Sequence, residues 1–308
     1  MNRLLTLCII ILLSGFLTGC QKEIFIENQG GISKPVIEGY IEINEYPYVI
    51  FTKSIPYFST VNSENFYKHI MISDAIVCVT SSDGITDTLR YGLYFNAPSL
   101  APLAYVGTKF KGEVGKSYRL DIHYEGTHFT ANTAIEPPFE IDSFWFANRD
   151  VRDTNAPCRI LMTDDPFRNN YYQFMVKVQN ANRLVDPYWV STIPIAFDDQ
   201  LFSGQTFNYE ILRAYPSSLL GSMITNEEER KNFFRMTFSW GDTVYLKYCA
   251  IDQPSYKYWS TVSFGDSPFM MPSPAYTNIS GGDCFGVWCG RSYKTDTLII
   301  PKWEYPVK

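Results

Sequence analysis

The stretch KSYRLDIHYEGTHFTA, residues 116–131, alternates apolar and polar side chains with a period of two residues. One set consists of Tyr118, Leu120, Ile122 and Tyr124, and the intervening set consists of Arg119, Asp121 and His123. Because successive side chains of a strand point to opposite faces, this alternation is typical of a strand with one buried face. Glu125-Gly126-Thr127 predicts a turn into a second strand that begins at His128. The stretch therefore predicts an antiparallel β-hairpin.

Short strands separated by Gly, Pro, Asn and Asp continue on both sides of this hairpin. The predicted strands outside it lie within residues 36–43, 48–52, 72–84, 141–146, 171–178, 243–251 and 297–300. Helix signals are few. A capping box starts the stretch 225–234, and Asp252 and Pro254 precede a candidate short helix at 255–262. Turn signals about every ten residues are typical of β-sandwiches, so we predict an all-β protein.

Ile135-Glu136-Pro137-Pro138 is the clearest break in the pattern, because two prolines cannot continue a strand ladder and they stiffen a joint. We place a domain boundary there. Residues 35–136 are predicted to form an N-terminal immunoglobulin- or transthyretin-like β-sandwich. Residues 137–308 are predicted to form a larger, β-rich C-terminal domain with one or two short helices.

The chain begins like a secreted precursor. Arg3 precedes the apolar run LLTLCIIILL at residues 4–13, which is too short to span a bilayer and has the length of a signal-peptide core. The run leads into Leu17-Thr18-Gly19-Cys20, which resembles the lipobox of bacterial lipoproteins. We expect residues 1–19 to be removed, fatty chains to be attached at Cys20, and residues 20–34 to act as a tether. The alternative is a soluble secreted protein.

Composition limits the partners. The net charge of the 308-residue chain is −6, and no Lys/Arg cluster is dense enough to follow a phosphate backbone, so we expect no nucleic-acid partner. Aromatic residues make up 16% of the chain, which suits strands and also glycan or other ring-stacking ligands. Beyond Cys8 and Cys20 the chain has an odd number of cysteines: Cys78, Cys158, Cys249, Cys284 and Cys289. Cys284 and Cys289 are the candidate disulfide, provided that a tight turn joins them.

Candidate chemical sites are weak. His123, His128 and Asp121 are close in sequence and are candidates for a metal, although solvent-facing strand residues explain them better. His69 has no neighbour that indicates a catalytic base. The acidic doublets Asp164-Asp165 and Asp198-Asp199 suggest turns more than the paired carboxylates of a glycosidase. We predict no catalytic residues, no metal and no cofactor.

A set of ordered phrases covers nearly the whole mature chain. They are Val36-Ile37-Glu38-Gly39-Tyr40, Ser54-Ile55-Pro56-Tyr57-Phe58, Asp74-Ala75-x-Val77, Gly115-x-x-Tyr118-x-Leu120, Pro137-Pro138 with Ile141-Asp142-Ser143, Tyr171-Tyr172-x-Phe174, Ser267-Pro268-Phe269-x-x-Pro272, and Asn278-Ile279-x-Gly281-Gly282-x-x-Phe285-Gly286. Together with the lipobox they resemble the Bacteroidota lipoproteins of the domain-of-unknown-function 4249 family. The resemblance implies an outer-membrane lipoprotein encoded beside a TonB-dependent receptor. It implies no established activity and no catalytic residues.

We therefore expect a lipid-anchored envelope protein, surface-exposed rather than facing the periplasm. Its expected role is that of a ligand-binding or docking accessory to a TonB-dependent receptor in nutrient uptake, with a small molecule, glycan or peptide as ligand. Two alternatives stay open: an envelope hydrolase acting on glycan or peptide, and a structural or adhesive surface protein.

Overall fold

The computed structural model describes residues 33–55, 70–94, 103–148, 155–180, 186, 188–214, 227, 235–265 and 276–302. The first strands and their bounds are β1 Pro35–Glu42, β2 Tyr48–Lys53, β3 Ile76–Ser81, β4 Thr86–Thr88, β5 Arg90–Leu93, β6 Leu103–Val106, β7 Ser117–Tyr124 and β8 Thr127–Ala134. The remaining elements are β9 Ser143–Phe146, β10 Asn155–Ala156, β11 Cys158–Thr163, β12 Tyr171–Gln179, β13 Val190–Asp198, β14 Thr206–Ile211, β15 Phe238–Ser239, β16 Thr243–Ile251, helix α1 Gln253–Gly265 and β17 Phe285–Ile299.

An eight-stranded sheet with the order β13-β12-β16-β17-β1-β2-β6-β5 is the centre of the fold. Its longest strand, β17, lies between β1, the first of the described strands, and β16. Residues 285–291 of β17 pair in parallel with β1, and residues 291–299 pair antiparallel with β16. The central sheet therefore contains strands from both sides of Pro137 and Pro138.

The first sandwich is formed by the four-stranded sheet β4-β3-β7-β8, which packs on one face of the central sheet. The alternation that predicted the hairpin gives β7 its buried and exposed residues in turn. The shared core combines side chains of both sheets, namely Ile37, Ile41, Val49, Phe51 and Trp288 with Val77, Val79, Tyr118, Leu120, Ile122 and Phe129. Apolar area removed from water stabilises this contact by about 25 cal/mol per Å².

The second sandwich is formed by the three-stranded sheet β14-β11-β9, which packs on the same face of the central sheet further along the chain. Its core contains Cys158, Ile160, Met162 and Ile211 from the small sheet, and Tyr172, Phe174, Val176, Val244, Leu246 and Tyr248 from the central sheet. Phe238 of β15 closes this core.

Helix α1 packs on the opposite face of the central sheet. Tyr258 of α1 is buried there beside the sheet residues Tyr40, Cys249, Val287 and Cys289. The helix begins where the sequence predicts, because the Asp252 carboxylate accepts a hydrogen bond from the Ser255 backbone N–H at 3.0 Å and caps the first turn.

The all-β class is confirmed, and so are the predicted hairpin and the helix near residues 255–262. All described strands belong to one compact unit, and the two sandwiches share the central sheet. The boundary after residue 136 therefore marks the change from one small sheet to the other and does not separate two bodies. The physical reason is the long strand β17, which bonds to strands of both halves.

Several predicted features lie outside the described residues. They are the leader at residues 1–19, Cys20, most of the tether at 20–34, His69 and, except for Glu227, the candidate helix at 225–234. Glu227 itself is helical. In the described part of the chain, no helix is both long and apolar enough to cross a membrane.

Candidate functional site

The two histidines of the first hairpin face each other. His123 is the cross-strand partner of His128, and their rings stack with centroids 4.1 Å apart. The Nε2 atom of His128 lies 2.9 Å from Asp121 Oδ1, and Arg119 pairs with the same carboxylate at 3.0 Å. Burial raises the pKa of Asp121, but the hydrogen bonds and charges of Arg119 and His128 outweigh it and lower the pKa below its usual value. These side chains form an exposed polar network, and no group of metal ligands occurs among the described residues.

Each acidic doublet has one buried and one partly buried member. Asp164 and Asp199 are buried, and both accept hydrogen bonds from Asn170: the Asn170 Nδ2 atom is 3.1 Å from Asp164, and the backbone N is 2.7 Å from Asp199. The Tyr172 hydroxyl also donates to Asp164. Asp165 forms an ion pair with Arg168 at 3.0 Å. These carboxylates hold two neighbouring loops together, which agrees with the turn interpretation.

The candidate disulfide is not formed, since Cys284 and Cys289 are both free thiols. The predicted turn between them is wrong, because residues 285–299 form one continuous strand. Cys284 packs in the core of the first sandwich, whereas Cys289 packs beneath α1 on the other face of the central sheet. Burial raises the pKa of Cys284 to about 11 and raises the pKa of Cys289 as well. Both cysteines therefore behave as small apolar core residues.

A buried charge cluster beneath α1 was not predicted from the sequence. Glu42 accepts from Lys247 Nζ at 2.6 Å and from Arg291 Nη1 at 3.2 Å. The Arg291 guanidinium also lies 4.3 Å from the centre of the Tyr40 ring. Burial raises the pKa of Glu42, but the two cations outweigh burial and lower the pKa below its usual value. The three charged residues come from β1, β16 and β17, so only their adjacency in the sheet brings them together.

An open cavity of about 520 Å³ lies on the small sheet of the second sandwich, on the face that points away from the core. Its lining residues are Trp145, Phe146, Ala147, Asn148, Asn155, Ala156, Pro157, Arg159 and Glu210. Trp145, Arg159 and Glu210 form one row across β9, β11 and β14, since Arg159 is the register partner of both other residues. This volume is within the range of small-molecule binding sites.

Trp145 is the unusual member of that row. Phe144 and Phe146 pack against the second core, whereas Trp145 is only partly buried and packs against none of the three apolar clusters of the described residues. A large aromatic side chain on an outward face has no role in the core. It is therefore available to stack on a ligand.

Polar groups of both hydrogen-bonding kinds surround Trp145. Arg159 Nη2 donates to Glu210 Oε2 at 2.9 Å, so the guanidinium and the carboxylate neutralise each other. Arg159 Nε is buried and has no hydrogen-bond partner among the described residues. Asn148 and Asn155 add amide groups at the rim, and the Asn155 Oδ1 atom accepts from Ser239 Oγ at 2.9 Å. The site combines an aromatic face with fixed donors and acceptors.

Sequence reasoning placed Trp145 in a predicted strand but did not identify the cavity. The polar Arg159 between Cys158 and Ile160 already indicates an outward position, whereas Phe144-Trp145-Phe146 is aromatic throughout and does not distinguish Trp145 from its core-facing neighbours. What the sequence does not contain is the pairing of β9 with β11 and of β11 with β14, which puts Trp145, Arg159 and Glu210 in one row.

The fold and the cavity together define an all-β protein with a shared central sheet and a ligand-sized site on an outward sheet face. The chain belongs to the family described as "Domain of unknown function (DUF4249)", whose profile matches residues 24–287. No curated protein matches the chain. A crystal structure of a DUF4785 family protein from Legionella pneumophila is similar over 70% of this chain at 9% identity. This chain covers 52% of that chain, and the TM-score of 0.22 is too low to support any argument.

Proposed function

We propose that the protein is a lipid-anchored outer-membrane accessory that holds a ligand beside a TonB-dependent receptor during nutrient uptake. The observation that carries the proposal is the outward cavity lined by Trp145, Arg159 and Glu210. Such a cavity supplies ring stacking and hydrogen bonds to a captured molecule. Asp164 and Asp199, two of the carboxylates considered for a hydrolase, accept hydrogen bonds from Asn170 that hold neighbouring loops together.

The anchor follows from the start of the sequence. The apolar run at residues 4–13 and the box Leu17-Thr18-Gly19-Cys20 suit export and lipidation. One acyl chain binds a membrane only marginally, whereas the two or three chains on a lipidated cysteine bind stably. A protein held in this way at the cell surface is concentrated beside membrane receptors. The resemblance to Bacteroidota lipoproteins supplies the receptor class.

Mass spectrometry of the natural protein tests the anchor. We expect the mature N-terminus to be Cys20, with fatty chains on its sulfur and its amine. A Cys20→Ser variant should lack these chains and should leave the membrane fraction. An unmodified N-terminus on the natural protein would contradict the anchor.

Affinity purification from native outer membranes tests the partner. We expect a β-barrel receptor to co-elute with the tagged natural protein. The control is an unrelated lipoprotein that carries the same tag, and no receptor should co-elute with it. Recovery of the natural protein without any β-barrel protein would contradict the accessory role.

A further inference from the structure

We propose that the ligand of the Trp145 cavity is an uncharged glycan chain, one sugar ring of which stacks on the Trp145 indole. This inference rests on the proposed function, because it names the ligand class of the same site. It does not depend on the identity of the receptor.

The charge of the cavity favours an uncharged, polar ligand. Among the described residues of the lining, Arg159 and Glu210 are the charged side chains, and they neutralise each other at 2.9 Å. A site for phosphate or for an acidic ligand would need an excess of cationic groups. A purely apolar ligand would cover the guanidinium and the carboxylate without offering them hydrogen bonds, which costs free energy. Hydroxyl-rich rings match both groups, because each hydroxyl both donates and accepts.

Trp145 supplies the complementary apolar surface. Sugar rings have an apolar face of C–H groups, and an indole offers a flat surface of matching size. Trp145 is only partly buried and belongs to none of the apolar clusters of the described residues, so part of its indole is open to a ligand. The register places Arg159 next to Trp145 and Glu210 next to Arg159, so a ring on the indole has hydrogen-bonding groups at its edge.

The unused hydrogen-bonding capacity of Arg159 supports the same ligand. Its Nε–H is buried without a partner among the described residues, while Nη2 is engaged by Glu210. The Arg159 side chain is nevertheless 40% exposed, so a ligand hydroxyl or ring oxygen can reach the guanidinium from the cavity. The cavity is also open to solvent, and β9 is an edge strand among the described strands of its sheet.

A peptide is the competing occupant, since no described strand pairs with the outer edge of β9 and an extended peptide could pair there. The two ligands differ in what they need. Strand pairing uses the backbone of β9 and is insensitive to the Trp145 and Glu210 side chains. Glycan stacking requires them.

Calorimetric titration of the detergent-purified lipidated protein tests the inference. The probes are uncharged hexasaccharides of α-glucan, β-glucan, xylan, mannan and galactan, together with unstructured hexapeptides as the second arm. Trp145→Ala and Glu210→Gln are the site variants. Trp189→Ala is the matched control, because Trp189 is also partly buried and contacts Lys177 outside the cavity.

We expect at least one hexasaccharide to bind, Trp145→Ala to weaken binding by about tenfold or more, and Trp189→Ala to bind like the natural protein. Glu210→Gln should weaken binding severalfold, because it releases Arg159 from its partner and removes an acceptor. The inference is overturned if no hexasaccharide binds at millimolar concentration, or if binding is indifferent to Trp145→Ala. Peptide binding alone would also overturn it while leaving the receptor-accessory role intact. If the protein binds a glycan but no receptor co-elutes with it from native membranes, the proposed accessory role is wrong and the proposed ligand class stands.

Discussion

The Thr133 hydroxyl donates a buried hydrogen bond of 2.7 Å to the Asp252 carboxylate, although 119 positions separate the two residues. The same carboxylate caps α1 through the Ser255 N–H, and Thr133 Oγ1 accepts from the Gly290 N–H at 2.6 Å. Asp252 and Thr133 together thus connect β8 of the first sandwich, the start of α1 and Gly290 of β17. This contact ties the halves of the chain to the shared sheet.

Asp252→Ala should therefore destabilise the protein by about 3 kcal/mol, since it removes a helix cap and leaves buried donors of Thr133 and Ala134 without a partner. Urea-induced unfolding measures the change. Asp296→Ala, at an exposed strand position, is the control and should stay within about 0.5 kcal/mol of the natural protein. A loss below about 1 kcal/mol for Asp252→Ala would show that the tie contributes little.

Glu42→Gln should destabilise the protein by about 3 to 5 kcal/mol at neutral pH, because Lys247 and Arg291 would be left buried without their anion. Glu113→Gln is the matched control, since Glu113 pairs with Lys116 on the surface and should contribute about 0 to 1 kcal/mol.

The pH dependence of Glu42 has a definite sign. Its folded pKa is lowered from the ordinary 4.5, so its contribution to stability is present above that value and declines as the pH falls through the folded pKa. The natural protein should lose stability in this acid range more steeply than Glu42→Gln does. Equal slopes in unfolding measurements across this range would contradict the assignment.

Gly286→Ala should destabilise the protein by about 2 to 5 kcal/mol. The backbone φ angle at Gly286 is +124°, and an added Cβ would lie 1.9 Å from the Ile37 carbonyl oxygen of the neighbouring strand. Gly92→Ala is the matched control, because nothing lies within 4 Å of its added Cβ. Thermal unfolding should separate the two variants clearly. Similar midpoints for both would contradict the close approach of β1 and β17.

Trp145→Ala and Trp288→Ala should differ sharply in stability. Trp288 is fully buried and its Nε1 atom donates to the Tyr118 carbonyl at 2.9 Å, so its truncation should cost about 3 to 5 kcal/mol. Trp145 is only partly buried and lies outside the apolar clusters of the described residues, so its truncation should cost about 1 to 2 kcal/mol. A large loss at Trp145 would assign this residue to structure and not to binding.

Alkylation of the native protein should modify Cys78 first, because Cys78 is only partly buried and the thiols Cys158, Cys249, Cys284 and Cys289 are buried. Burial raises the pKa of Cys249 to about 12, which further lowers its thiolate fraction. After unfolding without a reductant, all of these cysteines should react. Protection of Cys284 and Cys289 under those conditions would reveal the disulfide that the structure lacks.

Some features of the glycine-rich segment near residue 285 are predictable from the sequence, and others are not. The sequence indicates that Gly281 and Gly286 allow positive φ angles or close backbone contact. Both glycines have a positive φ angle in the structure. Gly281 lies against the His128 carbonyl oxygen, and Gly286 lies against the Ile37 carbonyl oxygen. The sequence does not indicate which strand approaches. The predicted disulfide requires a turn between Cys284 and Cys289, whereas Phe285 to Trp288 begin the strand β17.

The amino-acid sequence by itself determines the elements whose signals are local. The period of two in residues 117–124, the turn at Glu125-Gly126 and the Asp252 cap are each encoded within a few residues of where they act. Only the tertiary structure decides that β17 joins β1 to β16, that Glu42 meets Lys247 and Arg291, and that Trp145 lies beside Arg159 and Glu210. The physical reason is that side-chain alternation specifies which face of a strand is buried, whereas the backbone groups that pair strands are the same at almost every residue. The choice of neighbour is therefore made by the packing of the whole core.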